Sequence, residues 1–127
     1  MEKTYMNEIT YIPEPDDLQC GQAVLAMLCH TTTDEICRIL DNSRETTLKE
    51  MKLILDKFNF SYSNEKKEVF NKEELPEICI LSLETPRCWH WSLYYKGVFY
   101  DPEHGVMNDF PIAKRKYYWE VKQIIPK

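Results

Sequence analysis

"EPDDLQCGQAVLAML", residues 14–28, sets a Cys-Gly pair directly in front of an apolar, alanine-rich run. Proline fixes φ and keeps the residue before it out of the helical region, so "IPEPDD" reads as an extended approach that cannot be helical. A helix then starts at Gln19 or Cys20 and runs to about His30. Val24, Leu25, Met27 and Leu28 leave it almost no polar face, and an apolar helix of that kind is buried at the centre of a fold. Cysteine adds nothing to helix formation at such a start. What the position offers is chemical: unpaired backbone N–H groups and the positive end of the helix dipole stabilise a thiolate. Helped by an imidazolium, such placements lower a cysteine pKa from about 8.5 to as low as ~3.5–7.5. Cys20 is therefore a candidate nucleophile, and the plainer alternative is a buried structural thiol.

Outward from this helix, "TTTDE" supplies Thr32 as N-cap with Glu35 three residues on, a capping-box pattern leading into Ile36, Ile39 and Leu40. A second box, Thr47 with Glu50, opens a run in which Leu48, Met51, Ile54, Leu55 and Phe58 recur at helical spacing. The period then changes. Residues 59–77 are polar and irregular around a short strand at 60–62 and another near Val69, and "ICILSL", 78–83, is a continuous apolar run of strand length. Helices first and antiparallel strands afterwards predict an α+β domain, with the nucleophile's helix packed on a C-terminal sheet and residues 1–127 forming one compact unit.

"WHWSLYYKGVFYDP", 89–102, predicts a β-hairpin turning at Lys96-Gly97. If Tyr95 faces Val98, then Leu93 faces Tyr100 and Ser92 faces Asp101. That register puts His90 on the same face as Asp101 and diagonal to it, within side-chain reach at roughly 7–8 Å of backbone separation. A nucleophilic thiol needs a base, and the base needs an orienting group; His90 and Asp101 supply both. The hairpin does not by itself aim this face at Cys20. On the same face, Ser92, Tyr94 and Phe99 are candidates for a substrate groove, with core packing as the alternative. Trp89 and Trp91, on the opposite face, are expected in the core against the helices. A last strand holds Tyr117, Trp119 and Val121.

"EPDDLQCGQAVLAM" followed some way on by "HWSLYYKGVFYDP" resembles the papain-like cysteine peptidase fold in its compact bacterial form. The resemblance extends to the bacteriocin leader-processing (double-glycine) peptidases and to the papain-fold toxin domains of bacterial polymorphic toxins. It implies Cys20 as nucleophile, His90 as general base and Asp101 as the residue that orients the imidazole. One position departs from the pattern. Where these families carry a glutamine that donates to the oxyanion, this chain has Glu14, followed by the expected Pro15. An ionised carboxylate only accepts hydrogen bonds, and the loss of one oxyanion donor costs ~10²- to 10³-fold in rate. Three readings follow: Gln19 supplies the donor; Glu14 is protonated or serves a reaction other than amide hydrolysis; or the site is catalytically dead.

Composition narrows the partners. The formal charge of −5, from 21 acidic and 16 basic residues, disfavours nucleic acid, the one basic cluster being Lys114–Lys116 at the solvated end of the last strand. No apolar run is long enough to span a membrane, and "MEKTYMNEIT" lacks the pattern of a signal peptide, so the expected setting is a cytosol, its own or one into which the chain is delivered. Five cysteines without compact spacing favour free thiols. Cys29, Cys37 and Cys79 are expected in the core. Cys29, His30, Cys37, Cys88 and His104 show none of the pair spacing of closed zinc sites, so neither a metal nor an organic cofactor is expected.

Three functions are consistent with this reading. The first is a thiol hydrolase acting on a peptide, isopeptide or side-chain amide bond. The second is a toxin or effector that uses the same fold on another target such as RNA and has a cognate immunity protein. The third is a pseudo-peptidase serving as a binding module, which Glu14 motivates.

Overall fold

The computed structural model describes residues 9–16, 18–86 and 88–124; the signal-peptide reading of the first residues falls largely outside them. Three helices come first, α1 (Cys20–Cys29), α2 (Thr33–Leu40) and α3 (Leu48–Lys57). Seven strands follow: β1 (Phe60–Tyr62), β2 (Lys67–Glu68), β3 (Ile78–Glu84), β4 (Trp89–Tyr95), β5 (Val98–Asp101), β6 (Gly105–Met107) and β7 (Lys116–Gln123). The α+β class read from the sequence is the one observed.

The helix ends follow their capping chemistry. Thr47 accepts from the Glu50 N–H while the Glu50 carboxylate accepts from the Thr47 N–H, a complete capping box. At α2 only half of the expected box forms: Thr32 accepts from the Glu35 N–H, but the Glu35 carboxylate turns to Arg38, one helical turn on. Helix α1 ends where His30 enters the left-handed region at φ 57°.

The sheet is antiparallel throughout, in the order β1-β7-β3-β4-β5-β6, with β2 also on β7. Strand β3 lies between β7 and β4, and it is covered on both faces, which accounts for its unbroken apolar run. On one face the helices close a core of Val24, Leu25, Leu28, Ile54, Ile80, Leu93 and Val121. On the other, Cys79, Leu81, Leu83, Tyr94 and Phe99 form a second core under Leu75, Phe110 and Ala113.

That second core corrects one expectation. Tyr94 and Phe99 sit edge-to-face with ring centroids 4.9 Å apart, Phe99 also meets Phe110, and both are buried, so they pack the far side of the sheet instead of lining a groove. Of the two tryptophans expected against the helices, Trp91 packs there, half-buried beside Trp119 on the helix-side core, whereas Trp89, at the start of β4, is 47% exposed. The 3-10 turn at Lys72–Glu74 and the short strand β6 had no periodic signal to announce them.

Candidate functional site

The hairpin adopts the expected register, Tyr95 opposite Val98, Tyr94 opposite Phe99 and Leu93 opposite Tyr100. Lys96 and Gly97, at φ 49° and 90°, make the turn. From this register His90 and Asp101 meet: Nε2 of His90 lies 3.0 and 3.1 Å from the two carboxylate oxygens, and both side chains are buried. Asp101 accepts much more. Ser92 Oγ donates to it at 2.8 Å, the backbone N–H groups of Glu103 and His104 at 3.0 and 2.9 Å, and His104 Nδ1 at 3.0 Å. Ser92, a groove candidate by sequence, is a wholly buried prop for this carboxylate.

The charges follow from these contacts. Burial opposes ionisation of Asp101, but the His90 hydrogen bond and charge, the Ser92 hydroxyl and the His104 N–H outweigh it and hold the carboxyl below its ordinary range. Burial likewise opposes a charged His90, and the hydrogen bonds and charges of Asp101 and Cys20 overcome it, raising the imidazole above its usual value. With Nε2 committed to Asp101, Nδ1 is the ring nitrogen left for the thiol.

Helix α1 brings Cys20 to this pair by packing along β4. Cys20 is 9% exposed, and the backbone N–H of Trp91 donates to its sulfur at 3.4 Å. Such close packing explains the residue after it. A Cβ on Gly21 would stand 1.7 Å from Thr46 Oγ1 and 3.1 Å from Trp91 Cδ1, so only glycine lets the 41–47 loop and β4 close over the helix start. Gln22, unremarked in the sequence, is fully buried and anchors that loop by donating to the Asn42 and Arg44 carbonyls at 3.0 and 2.6 Å. A polar residue inside an apolar helix was the signal available for it.

The approach segment is tied to the hairpin. The Glu14 N–H donates to the Pro102 carbonyl at 2.9 Å and Tyr11 OH to the Asp101 carbonyl at 2.6 Å. These bonds carry the Glu14 side chain into the site, where a carboxylate oxygen, Cys20 Sγ and a ring nitrogen of His90 all lie within 4.8 Å of one another. Gln19 goes elsewhere: its amide donates to the Ser43 carbonyl at 3.0 Å and toward Cys37 Sγ at 3.7 Å, so the structure does not support it as the oxyanion donor.

In front of Cys20 and His90 lies a groove of ≈ 370 Å³, bounded by Leu18, Glu45, Thr46, Cys88, Trp89 and Trp91. It continues past Ser82, which lines both parts, into a second hollow of ≈ 400 Å³ between Leu48, Lys66, Tyr117 and Trp119. Trp89 and Trp91 are thus walls of the groove. Of the other cysteines, burial pushes the Cys29 thiol up to about 12 and raises Cys79 further, and burial with Asp34 and Asp16 nearby raises Cys37, while Cys88 is exposed at the groove mouth. No helix among the described residues is long and apolar enough to cross a membrane.

No protein-family model matches the chain, and no curated protein matches it either. Among solved structures it is similar to a double glycine motif protease from an AMS/PCAT transporter, crystallised in complex with the leader peptide. The two share 16% identity over 92% of this chain and 93% of that one, with a TM-score of 0.59. The likeness establishes the fold, that of a papain-like peptidase.

Proposed function

We propose that the protein is a thiol hydrolase that cleaves a peptide bond of an extended chain lying in the Trp89–Trp91 groove. The observation that carries this reading is the line from Cys20 at the start of α1 through His90 to the buried Asp101, open to that groove. The sulfur attacks the acyl carbon, forming the C–S bond as His90 takes or already holds the thiol proton. His90 then protonates the departing amine as the C–N bond breaks, and a water that gives its proton to His90 releases the acid and restores the thiol. Asp101 fixes the imidazole with Nδ1 toward the sulfur and stabilises the imidazolium. The solved neighbour holds a leader peptide, which supports a peptide as substrate.

Alkylation by iodoacetamide at pH 6, read by peptide mass spectrometry, tests the nucleophile. Cys20 is expected to react ahead of Cys88 although Cys88 is the more exposed, and His90→Ala should remove the advantage. Equal or slower reaction at Cys20 overturns the reading. Digestion of a mixed peptide pool, with Cys20→Ala as control, then identifies the bond.

A second reading rests on Glu14, which stands where the peptidases carry an oxyanion donor: a binding module that takes a peptide in the same groove without cutting it. Glu14→Gln separates the two. A gain in turnover of 10-fold or more marks an enzyme impaired at this position, on the scale that one oxyanion donor contributes, ~10²- to 10³-fold.

A further inference from the structure

We propose that Glu14, Cys20 and His90 form a binding site for a divalent cation with the preferences of zinc, and that its occupancy silences the thiol. The binding rests on the geometry alone; the silencing rests on the thiol-hydrolase reading above.

The three side chains offer a carboxylate oxygen, a sulfur and an imidazole nitrogen within 4.8 Å of one another, a mixed set that suits zinc. Bonds of about 2.0–2.3 Å place ligand atoms around a tetrahedral zinc at roughly 3.3–3.8 Å from each other. The ion would draw them together by no more than about 1.5 Å, a movement within the reach of the Glu14 side-chain torsions. Every ligand is already oriented. Asp101 holds His90 through Nε2 and leaves Nδ1 to the metal, the carboxylate–histidine–metal arrangement that fixes a ligand's tautomer. Cys20 is fixed by α1, and Glu14 is tied at its backbone to Pro102. Three protein ligands leave a fourth position facing the groove, where water or a substrate carboxylate completes the tetrahedron. A glutamine at position 14 would offer the ion a neutral ligand. A glutamate offers a charge, so the departure that weakens oxyanion stabilisation strengthens cation binding.

A competing set, His90, Glu103 and His104, also lies within 4.8 Å, but it has no sulfur, its two other members are exposed, and His104 Nδ1 is engaged by Asp101. The experiment separates the two. The metal-free full chain is titrated with Co²⁺ at neutral pH and the near-ultraviolet sulfur-to-cobalt charge-transfer band is followed, with Zn²⁺ as competitor. One equivalent should bind and be displaced by zinc, the band should vanish in Cys20→Ser, and Glu14→Gln should bind about ten-fold or more weakly, since a neutral amide oxygen replaces a charged ligand, a change on the scale of losing an outer partner. Glu103→Gln, which alters the competing set alone, should bind normally. Absence of the band, its persistence in Cys20→Ser, unchanged affinity in Glu14→Gln, or loss of binding in Glu103→Gln each overturns the site. Circular dichroism of each variant identifies one that has failed to fold.

In parallel, Zn²⁺ should protect Cys20 from iodoacetamide in the wild type, and at the same concentration should not in Glu14→Gln. Cobalt binding without protection of a reactive Cys20 overturns the silencing. Cobalt binding to a chain whose Cys20 never reacts faster than Cys88 means that the hydrolase reading has failed and the cation site stands.

Discussion

A single missing carbon decides how tightly the site is built. Gly21→Ala would drive a methyl into Thr46 and against Trp91, and the expected cost is about 1–3 kcal/mol, the range for overpacking, read from the urea midpoint. Thr46→Ala in the Gly21→Ala background should recover most of it, since the Thr46 hydroxyl has no hydrogen-bond partner among the described residues to lose. A neutral single variant would mean that the loop yields freely. Asp101 makes the converse case, because removing it strips the partner from a buried His90. Asp101→Ala should lower stability by on the order of 3 kcal/mol and abolish any preferential alkylation of Cys20, whereas a purely structural Asp101 would cost stability and leave the alkylation order intact.

At the scale of elements, the groove exists because Ser82 is small. It sits on β3 opposite Trp91 on β4 and Tyr117 on β7 and lines both hollows, where a large side chain would close the passage between them. Ser82→Phe should abolish peptide turnover or capture while iodoacetamide, a small reagent, still reaches Cys20; unchanged turnover would place the substrate elsewhere. The elements themselves were largely legible. Helix α1, the capping box at Thr47 and the hairpin register are local, so Pro15, Thr47, Glu50 and Gly97 announce them. What was not legible depended on which surface a second element covers. Alternation puts Trp89 and Tyr94 on opposite faces, yet only the tertiary structure shows that Tyr94 lies under Phe110 and its neighbours while Trp89 stays exposed. Gln19 beside Cys20 looked available as a donor, and its amide is spent on the 41–44 loop instead.

For the whole molecule, the His90–Asp101 pair sets a pH window. His90 is raised in the folded state, so its contribution is complete below the unfolded value of about 6.5 and is lost as the pH climbs toward the raised one. Asp101 is lowered, so its contribution is complete above about 3.9 and is lost on acidification. Stability from this pair is therefore greatest between roughly pH 4 and 6.5, and Asp101→Asn should flatten both limbs of a urea-midpoint profile taken from pH 3 to 10. A profile that keeps its alkaline fall in Asp101→Asn would assign that limb to other groups.

The order of elements along the chain has a consequence of another kind. Among the described residues the three α-helices all lie before residue 58 and the seven strands after it, so the sulfur belongs to one half of the polypeptide and the imidazole with its carboxylate to the other. On the proposed reading the molecule is a logical AND: neither half carries the chemistry alone, and docking them creates it. A chain cut in the exposed turn between β1 and β2, and supplied as two inert pieces, should regain thiol reactivity only as fast as the pieces find each other, turning Cys20 into a clock for assembly.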